Sequence, residues 1–452
     1  MKRLKFSFIL LIGFGLTTAA TAQTKLSLQE TLQFALKRNQ QLQQVRLEED
    51  LGRLKTKEIR AQALPQISGS GNLTDNILKQ KMALPGDLAG KPGELVVLTA
   101  GTTWNASLAG DLSQQIYNQS VWTGLKAAKA GEQYYALQTA QSEENVIYNI
   151  SSLYFNVLVT NQKIAVLESN IEKFKKLTET TQTQFDNGLA KKIDLDRIKV
   201  SLTNYTSQRN TLVNQVQVQT NMLKFAIGMP ASEQITFPEL SLKDIQQQTA
   251  GNIDWGNFDT NNRTEFKLIE KQEELQQFQR KAYLAEYYPT VSLNGRYSYN
   301  GMSDKFDLFN GKGGSAFWYG MANISLNVKI PIFDGFARKS RVQQSEVKLK
   351  QLEFEKDRTK NDLTTSFENA KLQLANNLNT IKAQKENMEL AEEVYASTKN
   401  NYELGLANLT DLLNAETSLA EAQNSYNEAL LQFKLAELEL IKSNGNLKTL
   451  LN

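Results

Sequence analysis

Two long stretches without proline constrain the fold of this chain more than any other feature of its sequence. All seven prolines lie outside the tracts Gln119–Met229 and Ile332–Asn452. Both tracts are rich in Gln, Lys, Glu, Asn, Leu and Ala, most of which helices accept well. A helix from Gly335 to about Asn400 would be about 100 Å long at about 1.5 Å per residue. The tracts therefore predict helices that are too long for the core of an ordinary domain.

The second tract also carries an apolar stripe, because its apolar residues recur at steps of three and four. The stripe comprises Leu363, Phe367, Ala370, Leu374, Leu378, Ile381, Met388, Ala391 and Tyr395. This spacing places the residues on one helix face and predicts helices that pack side by side, as in coiled coils.

The two tracts are copies of one another. At an offset of 217 residues, Phe185–Ala190 (FDNGLA) aligns with Tyr402–Ala407 (YELGLA). Further upstream, Leu64–Ser68 (LPQIS) matches Tyr288–Ser292 (YPTVS) at an offset of 224 residues. Chance similarity between two helices rich in Gln and Leu would not keep the glycine and proline positions in step. A tandem duplication is therefore the simplest explanation.

The duplication predicts the domain boundaries. The first repeat is expected at 23–230 and the second at 261–443. A linker at 231–260 separates them, and a short tail follows at 444–452. Each repeat is interpreted as a helix, a strand pair, a long helix, a Gly-Leu turn and a further helix.

Each repeat contains two segments in which apolar and polar residues alternate. These segments are 66–74 and 103–113 in the first repeat, and 290–300 and 317–331 in the second. Period two is typical both of a half-buried strand in a soluble hairpin and of a lipid-facing strand, so both interpretations stay open. Glycine-rich polar loops are expected within each pair, at 75–102 and 301–315. Four strands cannot close a barrel around an interior, so a membrane interpretation requires an oligomer.

Residues 1–22 have the layout of a secretory signal that ends at Ala22. Three basic residues precede a short apolar run, and Ala-Thr-Ala follows. Removing three positive charges from the net charge of +3 leaves a mature chain of net charge zero. A neutral chain has no electrostatic reason to bind nucleic acid. No later apolar run approaches 18 residues, so transmembrane helices are not expected.

The chain contains no His and no Cys, which removes most of the residues used in catalysis and metal binding. His-based triads, imidazole bases and zinc sites with His are excluded. Thiol nucleophiles and disulfides are excluded as well. Pairs of acidic residues such as Glu392-Glu393 lie among Lys and Gln on charged helix faces. We therefore expect no enzymatic activity, no cofactor and no metal site.

Several motifs, each weak alone, occur in a distinctive order. They are Leu26–Asn39 (LSLQETLQFALKRN), Ala63–Gln66 (ALPQ), Ile227–Pro230 (IGMP), Ile330–Gly335 (IPIFDG) and both Gly-Leu turns. In this order the chain resembles the TolC family of outer-membrane efflux proteins, over essentially its whole mature length.

The resemblance implies a fold that is mainly α with a β-barrel part. Tandem-duplicated long-helix hairpins would form a periplasmic α-barrel in a homotrimer. Four strands from each chain would form a 12-stranded outer-membrane β-barrel in contact with lipid. Residues 231–260 and the tail would form a girdle around the helical part. The implied function is an exit duct that an inner-membrane transporter uses through a periplasmic adaptor protein.

The resemblance also implies roles for the two Gly-Leu turns. Gly188 and Leu189 in the first repeat, and Gly405 and Leu406 in the second, match the family's adaptor-docking tip. Glycine permits the reversal between helices, and an exposed leucine offers an apolar contact to a partner. The structural alternative is a simple helix cap with the leucine packed inside the turn.

A periplasmic gate is implied just beyond the second turn. The family's constricting carboxylates match Asp411, whereas Asn414 occupies the next expected acidic position. Three copies of Asp411 around an axis would form a cation-attracting ring, weakened by the uncharged Asn414. Asp194 is the counterpart of Asp411 in the first repeat, and it has Lys191 and Lys192 beside it as possible ion-pair partners. The structural alternative is that both aspartates favour the first turn of a helix through its dipole.

A second function stays open at this level, namely a periplasmic coiled-coil adaptor or scaffold without a channel. An adaptor typically has one helical hairpin, whereas this chain has two hairpins and two strand pairs in tandem. The duct is therefore favoured, but the transported substrate is not determined by the sequence.

Overall fold

The computed structural model describes residues 24–85, 87, 90, 92–93, 95–238, 258–310 and 315–451. The predicted signal at 1–22 and residues 239–257 of the predicted linker lie outside the described residues. The helices are α1 Leu28–Arg38, α2 Gln40–Ala61, α3 Gln119–Asp186, α4 Lys192–Ala226, α5 Thr264–Ala285, α6 Ala337–Glu403 and α7 Leu409–Ser443. The strands are β1 Thr24–Lys25, β2 Gln66–Asp75, β3 Gln80–Pro85, β4 Leu95–Ala100, β5 Trp104–Tyr117, β6 Ile235–Thr236, β7 Thr290–Ser303 and β8 Phe317–Lys329.

The prediction of a mainly helical chain built on long helices is confirmed. Helix α3 has 68 residues and α6 has 67, and a 35-residue helix follows each of them. In the described part of the chain, no helix combines the length and the apolar character that crossing a bilayer requires.

The chain divides into two compact units. The first contains the described residues of Met1–Gln43, Glu143–Phe258 and Thr365–Asn452. The second contains those of Gln44–Ser142 and Asp259–Thr364.

The first unit is helical and has several apolar clusters along its length. One cluster is built around Leu32, Ile147 and Leu223. A second takes in the middle of the apolar stripe on α6, where Phe367, Ala370, Leu374 and Ile381 are buried. A third cluster lies next to the turns that join each long helix to the 35-residue helix after it, and it is described below. The short parallel pair β1–β6 joins Thr24 to Ile235 in this unit.

The second unit contains a four-stranded antiparallel sheet in the order β2-β5-β7-β8. Strands β2 and β5 come from the first repeat, whereas β7 and β8 come from the second. Pairing of β5 with β7, for example Leu108 with Tyr299, joins the two repeats in one sheet. Strand β5 continues past residue 113 to Tyr117 through a bulge at Ile116, where the register shifts.

The prediction of a polar loop at 75–102 is wrong in part, because this segment contains a second antiparallel hairpin. Strands β3 and β4 pair with Met82 opposite Leu98 and Leu84 opposite Val96. Strand β4 has the sequence LVVLTA, which is rich in residues that favour strands. The opposing strand contains Lys81 and Pro85, which are residue types that strands contain less often.

Candidate functional site

The site built from the predicted residues lies at two turns, Asn187–Lys191 between α3 and α4 and Leu404–Asn408 between α6 and α7. We call them the Gly-Leu turns. In the first turn, the backbone N–H of Gly188 donates to the carbonyl of Phe185 (2.9 Å). The N–H of Leu189 donates to the carbonyl of Gln184 (2.7 Å). This pair of bonds is a Schellman motif, which satisfies the last carbonyls of a helix.

The second Gly-Leu turn repeats the same pattern. The N–H of Gly405 donates to the carbonyl of Tyr402 (3.0 Å), and that of Leu406 donates to the carbonyl of Asn401 (2.7 Å). Each of these four residues lies 217 positions after its counterpart in the first turn. The duplication therefore extends to individual backbone hydrogen bonds.

Backbone conformation explains the glycine in each turn. Gly188 has a φ of +74° and Gly405 a φ of +75°, which is the left-handed region that glycine enters at no steric cost. A Cβ atom at either position would have no neighbour within 4 Å. The requirement for glycine therefore arises from the backbone angle and not from crowding.

The leucine of each turn faces outward. Leu189 is 81% exposed and Leu406 is 77% exposed, and Leu404 beside it is also exposed. A Schellman motif is often accompanied by an apolar contact of the residue after the glycine with the last helical turn. These leucines do not bury themselves in such a contact. Each Gly-Leu turn thus presents a large apolar side chain on its surface.

The two helical hairpins pack against each other next to these turns. Phe174 of α3, Ile198 of α4, and Leu409 and Leu412 of α7 form one buried cluster. Tyr402 of α6 packs against its edge. Both Gly-Leu turns therefore project from one packed group of four helices.

A polar contact between the hairpins was missed by the sequence analysis. Arg197 Nη1 donates to Thr410 Oγ1 at 3.1 Å, which links α4 to α7 across 213 residues. Both are polar residues within helical segments, and no sequence pattern indicates a contact between two segments so far apart.

Asp411 is the third residue of α7 and forms a capping box with Asn408. Asn408 Oδ1 accepts from the backbone N–H of Asp411 (3.0 Å), and Asp411 Oδ2 accepts from the N–H of Asn408 (3.3 Å). The Asp411 side chain is exposed, as is that of Asn414 one turn later. Residues three apart share a helix face, so these two side chains are neighbours on the surface of α7.

Asp194 is placed differently from its counterpart Asp411. It lies half-buried in the first turn of α4, where Lys191 is the N-cap residue and makes no side-chain capping bond. Among the described residues, no ion pair joins Asp194 to Lys191 or Lys192. Burial raises the pKa of Tyr402 above its ordinary value, and the Asp194 carboxylate adds to that rise. Asp194 therefore lies near a residue of the second repeat.

The described residues contain no group of three or more side chains arranged to hold a metal ion.

Comparison with known proteins agrees with the duplicated geometry. A family model described as "Outer membrane efflux protein" matches residues 31–229 and 260–446. The outer membrane protein TolC of Vibrio cholerae is 22% identical over 462 residues, covering 97% of this chain and 95% of that protein. The Campylobacter jejuni CmeC outer membrane channel has a similar structure, with a TM-score of 0.73 at 17% identity, covering 93% of this chain and 85% of CmeC. The outer membrane protein VceC of Vibrio cholerae superimposes with a TM-score of 0.72 at 15% identity, covering 92% and 96% of the two chains.

Proposed function

The chain belongs to the outer membrane efflux protein family, and from this premise we propose that it is the outer-membrane exit duct of a tripartite efflux pump or secretion system. Members of this family are channel proteins and not enzymes, in agreement with the prediction of no enzymatic activity. In the proposed assembly, a periplasmic adaptor protein connects the duct to an inner-membrane transporter. The chain lies in the outer membrane with a large periplasmic part.

The pair of Gly-Leu turns is the observation that carries this proposal. Leu189 and Leu406 are exposed apolar side chains on two turns that repeat the same backbone hydrogen bonds. An apolar side chain that a turn holds in water is available to bury against a partner. We place the adaptor contact at Gly188, Leu189, Gly405 and Leu406, which form the periplasmic tip in this proposal.

The sheet supports a homotrimer. Strands β2 and β8 are its edges, and each has unpaired backbone groups along one side. Ile324, Leu326 and Val328 of β8 are exposed, which suits contact with lipid. In the proposed trimer, β8 of one copy pairs with β2 of the next, and three copies close a 12-stranded sheet. Closed cyclic symmetry of this kind leaves no free edge.

The remaining assignments follow from the same assembly. Asp411 and Asn414 form the proposed gate, and their shared exposed face on α7 suits a position toward the channel axis. Asp194 belongs to the same proposed gate only because its carboxylate lies next to Tyr402. Residues 231–260 and 444–452 form the proposed girdle.

Efflux by living cells tests the proposal. Deletion of the gene is expected to raise the accumulation of at least one compound in a panel of cationic, anionic and neutral dyes and detergents. A plasmid copy restores export, whereas the double variant L189S/L406S does not. Leu390→Ser is the matched control, because Leu390 is an exposed leucine on α6 away from the turns. It should restore export fully.

The proposal is overturned if the mature protein is absent from the outer-membrane fraction, or if the double variant exports as well as wild type at equal protein levels. Protein levels are measured by immunoblot, which separates loss of docking from loss of folding.

A further inference from the structure

A buried glutamate next to the Gly-Leu turns has no role in the function proposed above. Glu416 of α7 is only 2% exposed and ranks among the fully buried side chains of the described residues. It follows Leu409 and Leu412 at the spacing of the buried face and precedes Leu419 on the same face. An ionisable side chain therefore occupies a position where the helix otherwise buries leucine.

Each of the other three helices brings a titratable or charged group to this carboxyl. Lys173 comes from α3, Tyr205 from α4 and Tyr395 from α6. The Lys173 ammonium lies 5.3 Å from the centroid of the Tyr395 ring and hydrogen-bonds to Asn170 Oδ1 at 3.4 Å. Glu416 thus lies where both hairpins meet.

Two further acidic groups act on the tyrosines of this cluster. Glu421 acts on Tyr205, and Glu403 acts on Tyr395. Burial together with the Glu416 charge raises the pKa of Tyr205 and of Tyr395 to about 12. Both tyrosines are therefore neutral at physiological pH and are available to the carboxyl as neutral donors.

The hydrogen bonding of Glu416 is incomplete. Among the described residues, the Tyr395 hydroxyl is the side-chain donor that acts on Glu416 and lowers its pKa a little, but it falls short of a full hydrogen bond to either Oε1 or Oε2. The Nδ2 of Asn170, a side chain that is 1% exposed, has no partner in the described part of the chain either. A buried carboxylate whose oxygens are not fully hydrogen-bonded is unfavourable when it is ionised.

We propose that Glu416 is a protonation-dependent latch between the α3–α4 and α6–α7 hairpins next to the Gly-Leu turns. The neutral carboxyl is compatible with the close packing seen in the structure. The ionised carboxyl draws water into the contact and loosens the two hairpins from each other. The regulatory meaning of the latch rests on the proposed function, because it sets the packing beneath the surface that docks the adaptor.

The sign of the pH dependence follows from burial. Burial raises the pKa of Glu416 above its ordinary value of 4.5, and the nearby Lys173 charge only partly offsets this. A raised folded pKa means that the packing is fully stabilised below the ordinary value and loses that stabilisation as pH rises through the raised one. The hairpins are therefore tight in acid and looser toward neutral and basic pH.

A distance measurement within one chain tests the latch. The chain has no cysteine, so spin labels can be placed uniquely through Val200→Cys on α4 and Ser418→Cys on α7, both at exposed positions. Labelled chains are diluted with unlabelled ones, so that only distances within a chain are read. The distance distribution is expected to be narrow near pH 4.5 and to broaden as the pH is raised to about 9.

Glu416→Gln is expected to abolish this broadening and to give the narrow distribution at every pH. Glu386→Gln is the matched control, because Glu386 is an exposed glutamate on α6 that does not act on Glu416 or on the two tyrosines, and it should broaden as wild type does. The inference is overturned if wild type shows no broadening, or if Glu416→Gln broadens as wild type does.

A second variant keeps the test valid if Glu416→Gln fails to fold. Lys173→Met keeps the glutamate and removes its nearest positive charge, so the midpoint of the broadening should move to higher pH. An unchanged or lower midpoint would contradict the latch. These readouts are independent of export and of subunit number, so the latch and the proposed duct can fail separately.

Discussion

At the scale of single residues, glycines with similar backbone angles carry different constraints. Gly405 and Gly228 have φ values of +75° and +73°. Space around Gly405 is open, whereas a Cβ at Gly228 would lie 2.4 Å from the carbonyl oxygen of Arg38. Gly131, inside α3, has neither a positive φ nor a neighbour within 4 Å. The three positions separate the effect of conformation from the effect of crowding.

Alanine substitutions at these glycines should form a graded series. Gly405→Ala is expected to lower the free energy of unfolding by about 1–2 kcal/mol, because only the left-handed backbone is penalised. Gly228→Ala should lower it further, because a backbone clash is added. Gly131→Ala should raise it by up to about 1 kcal/mol, because alanine is the better helix former. Chemical unfolding in mild detergent measures all three, and equal effects of Gly131→Ala and Gly405→Ala would contradict this explanation.

At the scale of elements, the duplicated helices α4 and α7 begin in different ways. Helix α7 begins with the capping box of Asn408 and Asp411, whereas α4 begins after Lys191 without a side-chain cap. A capping side chain satisfies one of the free N–H groups of the first turn. The two repeats therefore share their turns but not their helix starts.

Removing the cap should destabilise α7 alone. Asn408→Ala is expected to lower the stability of α7 by about 1 kcal/mol, because the N–H of Asp411 loses its acceptor. Lys191→Ala, at the matching position of α4, should be nearly neutral. Hydrogen exchange of the first-turn amides is the measurement. An equal or larger increase in exchange at the start of α4 in Lys191→Ala than at the start of α7 in Asn408→Ala would contradict this explanation.

The loop between β7 and β8 depends on one carboxylate. Ser303 Oγ donates to Asp307 Oδ1 (2.5 Å), and the N–H and hydroxyl of Ser315 donate to Oδ2 (2.7 and 2.8 Å). These bonds, that of Ser303 first, lower the pKa of Asp307 to about 2. Asp307 thus ties the end of β7 to the residues that precede β8.

Loss of this carboxylate should open the loop. Asp307→Asn is expected to speed trypsin cleavage after Lys305, whereas Asp75→Asn, at an exposed strand end, should not. Because the pKa is lowered, the tie holds above the ordinary value of 3.8 and weakens only as pH falls toward about 2. Protection of the Ser315 amide from hydrogen exchange should therefore persist above pH 3.8 and decrease only as the pH falls toward about 2. Loss of this protection above pH 3.8 would contradict the prediction.

At the scale of the whole molecule, one chain leaves its four-stranded sheet with two free edges. If three copies cover these edges, the protein extracted from outer membranes in mild detergent should have three times the mass of one processed chain. Mass photometry or light scattering measures this, and boiling in SDS should return a single chain. A stable monomer in mild detergent would contradict both the closed sheet and the proposed duct.

Local signals in the sequence were sufficient for part of this fold. The absence of proline and the steps of three and four predicted long packed helices, because helix formation depends on residues within a few positions of each other. Gly188 and Gly405 marked the interhelical turns, because a left-handed residue is a local requirement. Most of the candidate site could therefore be placed from sequence.

Only the tertiary structure decided which distant segments meet. Pairing of β5 with β7 and the contact of Arg197 with Thr410 join residues far apart in sequence. The β3–β4 hairpin was mistaken for a loop, because a strand is stabilised by its partner's backbone and not by its own residues alone. Nothing in the sequence distinguishes Glu416 from the other glutamates of its helix, and its burial depends on the four helices that enclose it. Local propensity determined the elements of this protein, and packing between distant segments determined their partners and their electrostatics.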